Sequence, residues 1–155
     1  PFLADNHEVY WFCDHLAYAA LVPLFFSRYA LIQNIVWDKD MLGVGGRYRK
    51  QTEMILYART SGAPKMAADR RDLIRLRPNY SSKQHPAAKP LSLITYLADA
   101  TKWRCVLDPY LGSGTTLLAA KQLGRRAIGI EIEERYCEIA AKRLQQAVLP
   151  LDSVA

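Results

Sequence analysis

The sequence predicts an α/β fold, a sheet with helices on both faces, and two observations carry the prediction. The first is the order of elements in the final third. A short apolar run at 105–107 (CVL) leads into a glycine turn at 108–114. A helical pattern at 115–123, a β-prone run at 127–130 and a second helical pattern at 133–148 follow. Strand, helix, strand and helix in that order mark a right-handed parallel unit. The second observation is a set of β-branched and aromatic runs in the first third, at 9–12 (VYWF), 32–37 and 53–57. A chain of 155 residues, half of them hydrophobic, is long enough for one domain with a real core and too short for two.

Taken in order, the strand at 9–12 ends at Cys13-Asp14, with an acid at its carboxyl end. Asp14 is an N-cap for a helix over 15–29, which Pro23 should kink or split. The strand at 32–37 runs into DKDMLGVGGRYRKQ, where glycines and basic residues predict a mobile, positively charged loop before the strand at 53–57. The stretch 61–83 carries Arg70, Arg71, Arg75, Arg77 and Lys83 with little periodicity and reads as a basic surface segment. HPAAKP at 85–90 precedes a helix over 91–97, with Pro90 suited to its first turn. Gly124 closes the helix at 115–123 as a C-cap.

Composition narrows the classes. Lys and Arg number 21 against 15 Asp and Glu, a net charge of +6 that suits a polyanionic partner without demanding one. Cys13, Cys105 and Cys137 are far apart and form no CxxC pair, which argues against a zinc site or disulfide framework. His85 has no Cys or His at ligand spacing, so no metal is expected. The reading is of a reducing, cytoplasmic protein. The most apolar window, 16–26, is too short for a membrane span, and the start lacks a basic signal-peptide region. The chain begins with proline, and an upstream segment is expected.

The glycine turn DPYLGSGTT lies between a strand and a helix, where a ligand can approach backbone amides at the positive end of the helix. Alone, Gly112-Ser113-Gly114 is equally a tight turn needing glycine dihedrals. Glu131 changes the balance, because it ends the next strand about twenty residues on, where doubly wound folds place an acid for ribose hydroxyls. Together they predict an adenosine-containing cofactor. Leu117 stands where the dinucleotide fingerprint wants its third glycine, and Gly-Thr-Thr stands where a phosphate loop wants Gly-Lys-Ser/Thr. Asp108 before the turn would repel a phosphate and suits a cationic ligand. S-adenosylmethionine has that charge pattern.

DPYLGSGTTLLAAKQLGRRAIGIEIEERYCEIAAKRL resembles the cofactor-binding region of the amino-group DNA methyltransferases, which modify adenine N6 or cytosine N4. HPAAKP resembles the His-Pro-x-x-Lys-Pro element before the glycine turn in the permuted, beta-class members. VWDKDMLGVGGRYRKQTEMILYAR resembles their strand-loop-strand segment near the DNA. The likeness covers nearly the whole chain and implies a circularly permuted, Rossmann-like methyltransferase fold of bacterial or phage type, with S-adenosylmethionine as cofactor and double-stranded DNA as partner. It divides the chain into a strand-rich half at 1–60, a short basic insert at 61–84 and a cofactor-binding half at 85–150.

By that resemblance Gly112, Ser113 and Gly114, with Pro109, Tyr110 and Thr115 around them, pass beneath the methionine part of the cofactor. Asp108 sits near its amino group, and Glu131 takes the ribose hydroxyls. Ile132 contacts the adenine ring or belongs to the core. Pro86, Lys89 and Pro90 border the methionine tail or simply open a helix beside a solvated lysine. Asp14 is a cofactor neighbour or a helix cap. Lys39, Arg47, Tyr48, Arg49, Lys50 and Gln51 combine basic, aromatic and amide groups suited to phosphate contacts and insertion near a displaced base, or form a solvated basic loop. The segment 70–83 falls where the family places its sequence-recognition insert.

The family's target base is held by an Asp/Asn/Ser-Pro-Pro-Tyr/Phe/Trp element, which in this permutation precedes every motif found here. The eight prolines of the chain are never adjacent, so no catalytic tetrapeptide is present and Asp108-Pro109-Tyr110 belongs to the cofactor site. The chain therefore resembles an N-terminally truncated enzyme of restriction-modification type, with adenine taken before cytosine as its target. The strand leading into the tetrapeptide is expected upstream, between the strands at 105–107 and 9–12. Without it, the chain is expected to be inactive alone and to depend on the missing N-terminal segment or to self-associate, as a homodimer for instance. The rival readings are a non-catalytic DNA-binding or regulatory fragment and a nicotinamide oxidoreductase, the latter disfavoured by Leu117.

Overall fold

The computed structural model describes residues 3–63, 70–78, 88–101 and 104–145. The chain forms two compact units, Pro1–Arg77 and Pro78–Ala155. The boundary falls inside the basic stretch that the sequence marks as an insert.

The first unit contains β1 (Glu8–Cys13), α1 (His15–Phe26), β2 (Leu31–Asp38), β3 (Thr52–Arg59) and β4 (Leu73–Arg75). Its sheet has the order β1-β3-β2-β4. β3 is antiparallel to both neighbours, and Leu56 sits between Trp11 and Asn34. Successive side chains on a strand face opposite sides. Ile55 and Leu56 are both fully buried, so β3 is covered on both faces and forms the core of the unit. β1, β3 and β2 are antiparallel, unlike the parallel unit from which the α/β class is read, and a hairpin joins β2 to β3.

Asp14 is the N-cap of α1. Its Oδ1 accepts from the amides of Leu16 (3.1 Å) and Ala17 (2.9 Å), and these bonds, that of Ala17 foremost, hold its carboxyl below the usual carboxylate range. The cap reading of Asp14 is the one its contacts support. Pro23 lies inside an unbroken helix. The helix stops at Phe26 rather than 29, because the amides of Arg28 and Tyr29 both close on the carbonyl of Phe25 before β2 begins.

β4 has no counterpart in the sequence reading, which treats 61–83 as surface. Leu73 pairs with Val36 in parallel, Ile74 is buried, and the indole of Trp37 donates to the carbonyl of Leu76 at 2.8 Å. Three residues with one buried side chain are too short to show a period.

The second unit runs α2 (Leu91–Asp99), β5 (Cys105–Asp108), α3 (Thr115–Gln122), β6 (Arg126–Gly129) and α4 (Glu134–Gln145). β5 and β6 are parallel, paired from Cys105↔Arg126 to Asp108↔Gly129, with α3 as the crossover. This is the predicted strand-helix-strand-helix unit. Pro90 is the N-cap of α2 rather than a first-turn residue, and its carbonyl accepts from Leu93 and Ile94. Leu93, Ile94 and Leu97 are the buried face of α2. The guanidinium of Arg125 donates to the carbonyls of Ala98 and Thr101 and to the Thr101 hydroxyl, partners for groups that a helix leaves open at its C-terminal end. Gly124 follows α3 at φ 65°, the left-handed turn expected of a glycine cap.

Among the described residues, β5 pairs only with β6, and β1 closes the first sheet with β3 as its one partner. No described helix is long and apolar enough to cross a membrane.

Candidate functional site

The turn between β5 and α3 is built by the ends of two parallel strands. The Asp108 carbonyl accepts from the amide of Ile130, and the Leu111 amide donates to the carbonyl of Ile130, both at 2.9 Å. The turn thus stays laced to the strand beside it. Asp108 Oδ1 accepts from the Tyr110 amide at 3.0 Å, which bends the chain out of β5. Leu111 then folds over Gly129, where a Cβ would lie 2.7 Å from its side chain. A glycine at that strand end allows the close approach.

Gly112 (φ 54°) and Gly114 (φ 83°) take left-handed backbone conformations that disfavour any side chain. A Cβ on Gly114 would also meet the Cβ of Ala140 at 2.7 Å, so α4 packs directly on the backbone of the turn. Gly112 is therefore needed for its dihedral, and Gly114 for both its dihedral and the approach of α4.

Glu131 ties the site together. Its Oε2 accepts from the Gly112 amide at 2.7 Å, and its Oε1 accepts from the amides of Ile132 (2.9 Å) and Glu133 (3.0 Å). One carboxylate fixes the glycine turn and the entry to α4 simultaneously. Beside this anchor Tyr110 is 78% exposed and Ile132 is 95% exposed, so Ile132 is not a core residue. Ser113 and Thr115 are buried beneath the turn. Lys89 and Pro90 stand at the start of α2, and Pro86 lies outside the described residues.

Sequence reasoning missed Arg143. From the last turn of α4, its Nη1 donates to the Ser113 carbonyl (2.6 Å), the Ser113 hydroxyl (3.1 Å) and the Thr115 hydroxyl (3.3 Å). Burial lowers the pKa of this guanidinium, which nevertheless remains a cation. Nothing local in the sequence announces a contact across 30 residues. Gly129, a glycine closing a β-run, is by contrast a local signal of a close backbone approach.

The loop between β2 and β3, expected to be mobile, is closely tied. The Lys39 amide donates to the carbonyl of Gln51 and the Gly43 amide to that of Lys50, and Gly45 bridges to Arg49. Arg49, itself exposed, folds back along the loop and donates to the carbonyls of Gly43 and Leu42. The Lys39 ammonium pairs with Glu53 at 3.3 Å and lies 5.3 Å from the Trp37 ring centroid. Backbone pairing and side-chain donors hold a segment that its glycines alone would leave loose.

Asp38 anchors the base of the loop. Its carboxylate accepts from Gln51 Nε2 (2.8 Å), the Asp40 amide (2.9 Å) and Arg75 Nε (2.9 Å), and these bonds, Gln51 first, hold its carboxyl below the usual range. Lys39, Arg49 and Gln51 thus shape the loop, while Arg47, Tyr48 and Lys50 point their exposed side chains outward. Tyr48 and Val44 at the tip are 89% and 94% exposed.

A parallel strand pair with a crossover helix, and a glycine turn held by a carboxylate from the next strand end, are the features of a Rossmann-like fold. The chain belongs to the DNA methylase family N6_N4_Mtase, whose family model matches residues 1–142. It is 33% identical over 153 residues to the type II methyltransferase M2.DpnII of Streptococcus pneumoniae, covering 84% of this chain and 57% of that protein. It is 42% identical over 74 residues to the type II methyltransferase M.HinfI of Haemophilus influenzae, across 46% of this chain and 21% of that one. Among solved structures it resembles M1.HpyAVI in complex with SAM, with a TM-score of 0.78 at 30% identity over 93% of this chain and 77% of that one. The chain thus spans less than two thirds of the curated relatives' lengths.

Proposed function

We propose that this chain is the cofactor-binding part of a site-specific DNA methyltransferase that transfers a methyl group from S-adenosylmethionine to adenine N6 or cytosine N4. The carrying observation is the Glu131 clamp on Gly112, which sets a turn of backbone amides and an acid side by side at the carboxyl ends of two parallel strands. That donor set fits the cofactor. The Asp108 carboxylate and the N-terminal end of α3 suit its charged amino-acid end, the Glu131 carboxylate suits ribose hydroxyls, and the exposed side chains of Tyr110 and Ile132 suit a flat base. Pro86, Lys89 and Pro90 belong to the same proposal as neighbours of the methionine tail.

The bound cofactor supplies a methyl group made electrophilic by its sulfonium. In the intact enzyme that methyl group would pass to the exocyclic amine of a flipped-out base, leaving S-adenosylhomocysteine. The share of this chain is positioning: the turn and Glu131 fix where the methyl group lies, and effective concentration supplies the rate. Arg47, Tyr48 and Lys50 contact DNA, with Lys39, Arg49 and Gln51 shaping the loop that carries them.

No Pro-Pro pair occurs in the sequence, so the residues that orient the base are proposed to come from an N-terminal segment of the same enzyme. Titration calorimetry with S-adenosylmethionine, S-adenosylhomocysteine and NAD tests the cofactor reading, which predicts binding of the first two and not the third. A tritiated-methyl assay on mixed-sequence DNA tests the division of labour. Turnover by the 155-residue chain alone would overturn it, and turnover only on adding the N-terminal segment supports it.

A further inference from the structure

We propose that Arg143 is the positioning residue of the cofactor turn, its guanidinium holding Ser113 and Thr115 so that the start of α3 faces the amino-acid end of the ligand. This rests on the cofactor reading above and assigns work to a residue that the glycine motif does not contain.

The geometry is specific. One guanidinium nitrogen reaches a carbonyl and two hydroxyls on either side of Gly114. Ser113 and Thr115 are 3% and 8% exposed, so water is a poor substitute for the cation. Three residues earlier on α4, Ala140 touches the backbone at Gly114. Positions three apart share a helix face, so α4 grips the turn at two adjacent points.

Helix stability does not explain the arrangement. A cation at the N-terminal end of α3 opposes the helix dipole, which favours anions there. The same placement strengthens the positive potential over the turn, where the carboxylate of an amino-acid moiety would settle. The cost to α3 and the gain to an anionic ligand group have one cause.

The test uses Arg143→Gln and Arg143→Lys in the full chain, with two ligands measured in parallel. S-adenosylhomocysteine carries the amino-acid end and adenosine lacks it. Arg143→Gln should raise the Kd for S-adenosylhomocysteine by roughly tenfold or more while leaving that for adenosine within about twofold. Arg143→Lys, which keeps the charge on a shorter side chain without the guanidinium plane, should fall between. A plain structural brace would raise both Kd values by a common factor, and that result overturns the proposal, as does no change in either. If Arg143→Gln does not fold, the same ratio measured on Arg143→Lys decides. Failure of the unmutated chain to bind S-adenosylhomocysteine would instead refute the cofactor reading itself.

Discussion

Glu131 Oε2 and the Gly112 amide lie 2.7 Å apart across 19 residues of sequence. The bond joins the end of β6 to the turn after β5, and the other oxygen of the carboxylate receives the two amides that open into α4. The acid that the cofactor motif calls for is therefore also the pin of its own site.

Removing that pin should weaken ligand binding and loosen the turn together. Glu131→Ala is expected to cost roughly 1–3 kcal/mol in S-adenosylhomocysteine affinity, since it strands backbone donors and removes the ribose acceptor. Glu131→Gln, which keeps one acceptor oxygen, should cost less. Calorimetry showing equal affinity for Glu131→Ala and the parent would remove Glu131 from the site.

Gly114 and Gly124 make a matched pair for separating backbone strain from contact. Both have positive φ, but only a Cβ on Gly114 meets α4, whereas nothing lies within 4 Å at Gly124. Gly124→Ala should cost about 1–2 kcal/mol, the left-handed penalty alone. Gly114→Ala should cost more by at least about 1 kcal/mol from the clash with Ala140. Urea unfolding of the two variants measures the difference, and equal losses would show that α4 yields freely.

The strand-turn-helix-strand core was legible because its signals are local: an apolar run, glycines in a turn and an acid at the next strand end. β4 was not, because three residues against β2 have no period of their own and are held by Val36 and Trp37 from far along the chain. Arg143 was hidden for the same reason, since its partners lie 30 residues away. The contacts that tie the loop at 38–51 are not legible in its composition, which reports glycines and charges, because they come from Asp38, Arg49 and Gln51 reaching their partners in space.

The Asp38 anchor predicts an acid-sensitive loop. Its folded-state pKa is lowered by bonds from Gln51, the Asp40 amide and Arg75. The stabilisation is fully present above the unfolded carboxyl value, about 3.9, and is lost as pH falls through the lower folded value. Asp38→Asn should flatten the stability profile in that acidic window and weaken the loop at neutral pH. Circular dichroism against pH checks it, and identical acid limbs for variant and parent would contradict it.

The loop should divide its residues by role. If Arg47 and Lys50 each neutralise a phosphate, Arg47→Ala with Lys50→Ala should reduce the slope of log K against log salt by about 2. Arg49→Ala should instead act by freeing the carbonyls of Leu42 and Gly43, lowering affinity and local protection from hydrogen exchange together. Fluorescence anisotropy across a salt series distinguishes the two, and an unchanged slope in the double variant would take the tip off the DNA.

The contact between Gly114 and Ala140 has almost no side chain in it, so no rotamer can absorb a small shift of the turn. Lys142, two residues further along α4, is 77% exposed at its side chain. A fluorophore placed there through cysteine substitution would sit outside the site yet on the element that the turn presses against. With the exposed Cys105 and Cys137 replaced, its signal on adding S-adenosylhomocysteine would report whether the turn transmits ligand binding to α4.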